Sequence, residues 1–227
     1  MSDASSSRRL AGERTDYLAG SLPDDAPADP LALFEIWLEE AFARREEHAD
    51  LPDPSAVVLS TVALNGQGTP CPRSRTVLLK GHGAEGFVVY TNLGSDKGHE
   101  LEQTPRAALL MPWYPLQRQV RIEGTVEQVP AEISDAYWAQ RPRGSQLGAW
   151  ASQQSREITS REALEGQYAQ VEERFEGSEV PRPGFWGGLR VRPARIEFWQ
   201  GRAHRFHDRI RYTATADGSW ERHRLQP

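Results

Sequence analysis

The hydrophobic period of the chain changes at Ala56, and this change constrains the fold more than any other feature. Residues 56–62 are mostly apolar, and residues 119–126 alternate between apolar and polar side chains. A period of two is typical of a strand with one buried face. Turn signals such as Asn65-Gly66 separate the runs. We predict strands at 56–62, 75–79, 87–91, 107–111 and 119–126. Five strands joined by tight turns favour an antiparallel barrel, whose closure leaves no exposed edge.

Helical patterns flank this region. Asp29 followed by Pro30 predicts a helix start, and an apolar stripe then recurs at helical spacing to about His48. Further helices are predicted at 96–103, 131–140, 147–152 and 160–176, with Ser95 and Ser160 as caps. The last forty residues return to strands at 188–191, 196–199, 204–212 and 220–225. The fold class is therefore mainly β with helices (α+β), an antiparallel barrel with peripheral helices.

The length and composition suit one sizeable domain. Residues 1–28 are polar and predict a flexible arm, while residues 29–227 form the domain. A hydrophobic fraction of 38% and a mean hydropathy of −0.65 are low for a self-contained monomer. We therefore expect a homodimer. The net charge of −5 argues against a general nucleic-acid binder.

The cellular setting follows from what the sequence contains. Cys71 is the single cysteine, which excludes an internal disulfide and suits a reducing cytoplasm. No run approaches the roughly 18 apolar residues that cross a bilayer, so a membrane partner is not expected. The start of the sequence lacks the apolar core of a signal peptide. We predict a cytoplasmic protein.

Candidate anion-binding residues gather in three places in the sequence. Only two of the 27 basic residues are lysines, Lys80 and Lys97, and both lie near Arg75 in the sequence. A second group is Arg141, Arg143 and Ser145, and a third is His204, Arg205, His207 and Arg209. A phosphate is held by two or three charge-assisted contacts, so two groups are more than one phosphate needs. Two phosphorylated ligands in one site would explain both.

The third group is predicted to lie on a strand, where alternation puts Arg205, His207 and Arg209 on one face. Such a face is costly to bury without an anionic or polar ligand. A solvated outer strand is the other interpretation that these residues leave open. In the arm, Arg14 and Tyr17 would share a face within one helical turn, although the residues alone favour a frayed terminus.

Several motifs together resemble the pyridoxine (pyridoxamine) 5'-phosphate oxidase family. The resemblance extends in order from about residue 14 to the final Arg-Leu-Gln-Pro. Its motifs are Arg75-Thr-Val-Leu-Leu-Lys80, Tyr90-Thr-Asn-Leu-Gly-Ser95, Arg118-Gln-Val120, Arg141-Pro-Arg143 with Ser145-Gln146, Gln153-Gln-Ser155, Phe185-Trp-Gly-Gly188, and Glu197-Phe-Trp-Gln-Gly201 with His204-Arg-Phe-His-Asp-Arg209. Any one of these motifs is weak, but the ordered set is specific.

The resemblance implies an FMN enzyme with a split-barrel fold that acts as a homodimer, with FMN at the subunit interface. It implies oxidation of pyridoxine 5'-phosphate or pyridoxamine 5'-phosphate to pyridoxal 5'-phosphate, with O2 reoxidising the flavin. The two phosphates would then belong to FMN and to the substrate. Two rivals are a related flavin oxidase of another ring, of the phenazine-pathway type, and a non-catalytic flavin- or pyridoxal-phosphate-binding module.

The resemblance also implies roles for individual residues. The substrate is expected to contact Lys80, Tyr137, Arg141, Ser145 and the nearby acid Asp53. The catalytic residues would be Arg205 and His207, with Arg14 and Tyr17 on a lid formed by the arm. FMN is expected to contact Arg75, Thr76, Val77, Leu78, Leu79, Lys80, Tyr90, Thr91, Lys97, Gln119, Gln154, Ser155, Trp199 and Arg209.

The chain departs from the family pattern at Asp96, where the family usually has an arginine. A carboxylate there would repel a phosphate. Either Arg73 or another arginine substitutes, or FMN is held more weakly. The connection from Gly66 to Ser74 also looks longer than the usual hairpin of the family.

Overall fold

The structure is a computed structural model, and it describes residues 16–227. Across these residues it contains eight strands and five α-helices. The strands are β1 (Ala56–Leu64), β2 (Pro70–Gly83), β3 (Gly86–Asn92), β4 (Arg106–Trp113), β5 (Arg118–Gln128), β6 (Trp186–Gln200), β7 (Asp208–Ala214) and β8 (Trp220–Leu225). The helices are α1 (Pro30–His48), α2 (Asp96–Gln103), α3 (Ala131–Gln140), α4 (Arg143–Ala151) and α5 (Arg161–Arg174).

The strand order confirms the predicted barrel. The sheet runs β3-β2-β1-β4-β5-β6-β7-β8, and β3 also pairs with β6. This additional pairing closes the strands from β1 to β6 into a ring. The pairs β1–β2, β1–β4, β2–β3 and β3–β6 are all antiparallel. Among the described residues, no helix is both long enough and apolar enough to cross a membrane.

The chain divides into two compact units. The central unit comprises Asp53–Met111 and Arg121–Ile196. The terminal unit comprises Met1–Pro52, Pro112–Val120 and Glu197–Pro227, described here from residue 16.

Helix α1 in the terminal unit forms as its sequence predicts. The Asp29 carboxylate accepts a hydrogen bond from the Leu31 amide at 2.9 Å, and Pro30 occupies the first turn. The apolar face of the helix is buried, and the Trp37 ring meets Phe198 edge-on with centroids 5.2 Å apart. The helix ends at His48, and the following Ala49 has a left-handed backbone and donates its amide to the Arg45 carbonyl.

Strand β2 is longer than the sequence predicts. The segment read as a long connection is mostly strand, since β2 pairs with β1 from Pro70 opposite Leu64 to Leu78 opposite Ala56. The segment contains Pro70 and Pro72, which have no N–H to donate to a neighbouring strand. The register of β2 with β3, however, covers only Leu79 to Gly83, so within the described chain the prolines lie outside that pairing. A strand edge tolerates a residue without an N–H.

The other differences have local causes. Strand β6 is one continuous strand where two were predicted. Helix α4 starts at Arg143, directly after Pro142, because a proline can precede a helix as well as end one.

The prediction of a strand over 204–207 was wrong. His204 and Arg205 lie in a short 3₁₀ turn and have left-handed φ values of 56° and 64°, and β7 begins only at Asp208. A left-handed pair breaks the alternation of a strand. The argument that put Arg205, His207 and Arg209 on one strand face therefore fails.

Gly98 allows α2 to approach Leu93, and we predict that Gly98→Ala destabilises the protein. An added Cβ would lie 2.0 Å from the Leu93 carbonyl oxygen, so the backbone would have to move. We expect a loss of about 1–3 kcal/mol in the free energy of unfolding, measured with urea. The control is Gly166→Ala in α5, where an added Cβ meets nothing within 4 Å. That variant should gain about 0.5–1 kcal/mol. Equal stability of Gly98→Ala and the wild type would contradict the prediction.

Candidate functional site

The central unit contains a cleft of about 770 Å³, a volume typical of small-molecule sites. Strands β2 and β3, the start of α2, helices α3 and α4 and the loop after α4 supply its walls. Most of the predicted ligand-binding residues line it. These are Arg75, Thr76, Val77, Leu78, Lys80, Tyr90, Thr91, Lys97, Tyr137, Arg141, Ser145, Gln154 and Ser155.

An irregularity in β2 gives the neighbouring side chains of Leu79 and Lys80 different surroundings. The side chain of Leu79 is buried in the hydrophobic core and is not among the residues that line the cleft. The register of β2 with β3 shifts between Leu79 and Gly81. A bulge of this kind re-aims the side chain at its centre, and Lys80 lines the cleft.

Lys97 is a buried cation at the start of α2. Its Nζ donates to Thr91 Oγ1 at 3.1 Å, to Ser95 Oγ at 3.1 Å and to Gln154 Oε1 at 2.7 Å. Burial, followed by the nearby positive charge of Arg75, lowers the pKa of Lys97 to about 8. The ammonium is thus fully hydrogen bonded, yet its charged form is less favoured than that of an exposed lysine.

A charge network continues from this point. Arg75 donates to Thr61 Oγ1 at 2.5 Å and to Glu100 Oε2 at 2.9 Å. Burial opposes ionisation of Glu100, but the hydrogen bonds from Thr61 and Arg75 keep its pKa below the ordinary value. Arg73 and Asp96 also line the cleft, and Arg73 Nη1 lies 3.6 Å from Asp96 Oδ2.

Aromatic rings form a flat wall of the cleft. Tyr90 stacks on Tyr137 with centroids 4.0 Å apart, and on Trp186 at 5.3 Å. The guanidinium of Arg141 lies 4.7 Å from the centroid of the Trp186 ring, and its Nη2 donates to the Ser145 carbonyl at 3.0 Å. Within the described chain, its Nε is buried and has no hydrogen-bond partner. A buried unpaired donor is costly, and it belongs to a residue that lines the cleft.

Arg143, grouped with Arg141 in the sequence, binds backbone carbonyls and does not face the cleft. Its two terminal nitrogens donate to the carbonyls of Phe175 at 2.6 Å and Ser178 at 2.8 Å. Arg143 does not line the cleft and instead holds the segment after α5. The second cationic group therefore separates in the fold.

The terminal unit brings Tyr17, Trp199 and His207 together. The His207 ring lies 4.6 Å from Trp199 and 5.5 Å from Tyr17, measured between centroids. The Arg202 amide donates to His207 Nδ1 at 3.1 Å. Burial and the charge of Arg205 lower the pKa of His207. Because Nδ1 accepts a hydrogen bond, the neutral ring carries its proton on Nε2.

Other predicted residues are placed as follows. Arg205 is exposed on the turn before β7. Arg209 forms a two-point ion pair with the buried Glu197, at 2.9 and 3.2 Å. Gln119 lies on β5. The Asp53 carboxylate accepts from the amide and hydroxyl of Ser55 and so stabilises the turn before β1. Arg14 lies outside the described residues.

Five residues that line the cleft were missed by sequence reasoning, namely Asn92, Gly148, Ala149, Ser152 and Trp186. Trp186 lines the cleft, and the sequence offered a signal because it belongs to the quoted Phe185-Trp motif. Asn92 also lines the cleft and donates to the Ser152 carbonyl at 3.3 Å. It also belongs to a quoted motif, Tyr90-Thr-Asn-Leu-Gly-Ser95, although its residue type alone did not distinguish it from a turn residue.

Comparison with known proteins identifies relatives over nearly the whole chain. The model of the family described as "Pyridoxamine 5'-phosphate oxidase" matches residues 44–175. A second model, "Pyridoxine 5'-phosphate oxidase C-terminal dimerisation region", matches residues 186–227.

Two named relatives are similar at full length. The pyridoxine/pyridoxamine 5'-phosphate oxidase of Rubrobacter xylanophilus is 54% identical over 221 residues, 97% of this chain and 97% of the relative. The protein of the same name from Cupriavidus pinatubonensis is 49% identical over 220 residues, 96% of this chain and 99% of the relative.

Solved structures confirm the predicted antiparallel split barrel. PhzG from Burkholderia lata 383, solved with tetrahydrophenazine-1-carboxylic acid, has a TM-score of 0.80 at 30% identity, covering 90% of this chain and 95% of that one. A pyridoxamine 5'-phosphate oxidase-related, FMN-binding protein from Nostoc punctiforme has a TM-score of 0.67 at 14% identity, covering 86% and 97%. The second similarity shows the fold alone.

Gly201 provides the space for the Tyr17 ring, and we predict that Gly201→Ala displaces it. An added Cβ would lie 2.7 Å from Tyr17 Cγ and 2.8 Å from its Cβ. Hydrogen exchange at the Ala19 amide, which donates to Gln117 Oε1, would then accelerate. The control is Gly184→Ala, where an added Cβ meets nothing within 4 Å. Unchanged protection of Ala19 in Gly201→Ala would contradict the prediction.

Proposed function

This chain belongs to the pyridoxamine 5'-phosphate oxidase family, and on that premise we propose that it oxidises pyridoxine 5'-phosphate or pyridoxamine 5'-phosphate to pyridoxal 5'-phosphate. FMN is the proposed cofactor, and O2 is the electron acceptor that yields H2O2. One observation carries the proposal beyond the similarity. A single cleft is lined by two sets of anion-binding side chains, one around Lys97 and one around Arg141.

The residues of the cleft fit a flavin nucleotide. The cleft is large enough for two small ligands, its flat wall of Tyr90, Tyr137 and Trp186 suits ring systems, and the cations beside Lys97 suit a phosphate. The proposed FMN residues of the cleft are Arg75 to Leu78, Lys80, Tyr90, Thr91, Lys97, Gln154 and Ser155. Leu79, Gln119, Trp199 and Arg209 complete the proposed set.

The substrate phosphate is assigned to Lys80, Tyr137, Arg141 and Ser145. Arg141 has the unpaired Nε described above, and Ser145 and Lys80 line the same cleft. Arg141 is held over Trp186, so its orientation is fixed before a ligand arrives. Such preorganisation lowers the ordering cost of binding. Asp53 is the proposed acid near the substrate.

FMN, held by the residues named above, would supply the redox chemistry, a two-electron oxidation of the substrate by hydride transfer with O2 as the final electron acceptor. The side chains position the substrate for this transfer. Arg205 supplies a permanent positive charge near the reacting carbon and its oxygen or nitrogen substituent. His207 would donate a hydrogen bond from Nε2 to this substituent, because Nδ1 already accepts from the Arg202 amide. That tautomer favours orienting the substituent over removing its proton.

The arm and the subunit contact complete the proposal. Tyr17 rests against His207 and Trp199, and with Arg14 it would cover the site as a lid within residues 1–28. Excluding water protects the reduced cofactor. The match of residues 186–227 to a dimerisation region supports a homodimer. The position of FMN at the subunit interface is part of the proposal. Residues 29–227 form the proposed FMN-binding domain, and a cytoplasmic location is part of the proposal.

The rivals predict different ligands. PhzG, similar in structure, was solved with tetrahydrophenazine-1-carboxylic acid, which favours a flavin oxidase of another ring as the second candidate. The set Lys80, Tyr137, Arg141 and Ser145 would be idle without a substrate phosphate. A non-catalytic binding module would leave Arg205 and His207 without a role.

The proposal is tested by turnover of purified protein with FMN and either phosphorylated substrate. We expect an aldehyde product that absorbs in the near-UV or visible, formed with consumption of O2. Pyridoxine without phosphate should react far more slowly, since the phosphate contacts are lost. Bound flavin without any product would refute the proposal, and turnover of the phenazine compound alone would favour the rival.

Arg205→Leu should lower turnover far more than FMN affinity. Loss of a charge that acts at the reacting centre costs about 100-fold or more in kcat. FMN affinity, followed by flavin fluorescence, should change by less than about threefold, because the role assigned to Arg205 is toward the substrate. The control is Arg161→Leu, an exposed residue of α5 paired with Glu165. Equal losses of turnover and FMN affinity would count against the assigned role.

FMN affinity should fall as the pH rises above about 8. A lowered pKa means that Lys97 is charged below pH 8 and loses its proton as the pH rises through that value. A phosphate favours the ammonium, so binding above pH 8 must take up a proton. We expect the dissociation constant to be level from pH 7 to 8 and then to rise by up to about tenfold per pH unit. Lys97→Arg stays charged, so its profile should be flat across this range. A flat wild-type profile would contradict the prediction.

A further inference from the structure

Three cations meet at one part of the cleft, and they differ in how their donors are used. Arg75 is committed to Thr61 and Glu100, and all three protons of Lys97 are given to Thr91, Ser95 and Gln154. Lys97 is therefore fully hydrogen bonded within the protein before any ligand binds, and Arg75 is anchored to Thr61 and Glu100 through two of its five N–H donors.

Arg73 is the third cation, and its position is different. Its Nη1 lies 3.6 Å from Asp96 Oδ2 and 3.7 Å from Glu100 Oε1. Both separations exceed hydrogen-bond length, so these contacts orient the guanidinium without occupying its donors. The side chain is half exposed and lines the cleft together with Arg75, Asp96 and Lys97.

The two acids explain why Arg73 stays at this place. Glu100 is buried, and within the described chain its Oε1 has no hydrogen-bond partner, which leaves a negative atom facing Arg73. Asp96 adds a second carboxylate from the first turn of α2. An arginine fork offers five N–H donors in a planar array, which suits the oxygens of a phosphate.

We propose that Arg73 is a direct ligand of the FMN phosphate and that Asp96 is a positioning residue that holds its guanidinium at the cleft. This inference rests on the proposed function, since it concerns the same cofactor. Asp96 then acts on the phosphate through Arg73. The competing interpretation is a surface ion pair, which contributes little and predicts no effect on ligand binding.

The test compares FMN with riboflavin, which lacks the phosphate, by fluorescence titration of the apo-protein. Arg73→Met should weaken FMN binding by about tenfold to a hundredfold. Riboflavin binding should stay within about twofold, because the lost contact is to phosphate. The matched control is Arg195→Met, whose side chain is 57% exposed against 53% for Arg73 and is not among the residues that line the cleft. It should bind both flavins like the wild type.

A second-site variant tests whether Arg73 and position 96 serve the same phosphate. Asp96→Arg in the Arg73→Met background should restore most of the lost FMN affinity, since it returns a guanidinium to the same part of the cleft. In the wild-type background the same change should alter FMN affinity by less than about threefold. Thermal unfolding of each variant checks that it is folded, and Arg73→Lys, with charge but no fork, should lose less than Arg73→Met.

The outcomes separate this inference from the proposed function. Wild-type protein that binds neither flavin overturns both. FMN binding that Arg73→Met leaves unchanged overturns only the role of Arg73. Equal weakening of FMN and riboflavin would make Arg73 a structural residue. Strong tightening by Asp96→Arg alone would show that the wild-type site lacks a phosphate cation, which also overturns the inference.

Discussion

The burial of the Lys97 ammonium is the constraint on which the candidate site depends. A buried ammonium must have its donors satisfied, and three side-chain oxygens meet this one. Ser95 occupies the N-cap position of α2, yet its hydroxyl makes no capping hydrogen bond there and instead accepts from Lys97. Helix α2 thus lacks the stabilisation of a side-chain cap, and the same hydroxyl instead holds the charge of Lys97 in place. Gly98 belongs to the same arrangement, because α2 must approach Leu93 closely to put Lys97 there.

The charges around Lys97 are balanced so that one positive charge is left over. Arg73, Arg75 and Lys97 face Asp96 and Glu100, three cations against two carboxylates. Glu100 lets Arg75 remain beside Lys97 at close range. A site with a small excess of positive charge tolerates the absence of its ligand and still favours an anion.

Much of the fold follows from local sequence signals, and the failures share one cause. The caps Asp29 and Ser160 act as predicted because a cap depends only on its own next few residues. The prolines of β2 and the left-handed pair His204 and Arg205 depend on distant structure. Whether a strand tolerates a proline depends on which of its two edges pairs with a neighbouring strand at that position. A left-handed non-glycine residue costs energy that only the surrounding contacts repay.

The site shows the same division between what is local and what is not. Motif order located the residues of the cleft, but residue type could not say which cations have free donors. Arg143 resembles a phosphate ligand in sequence, and its true partners are carbonyls 32 and 35 positions away. Asp96 alone reads as a residue that repels phosphate. Beside Arg73 it reads as a support for a cation, because the charge that a ligand meets is that of the pair. Whether a single acidic substitution in a binding motif raises or lowers the affinity for phosphate therefore depends on the residues around it.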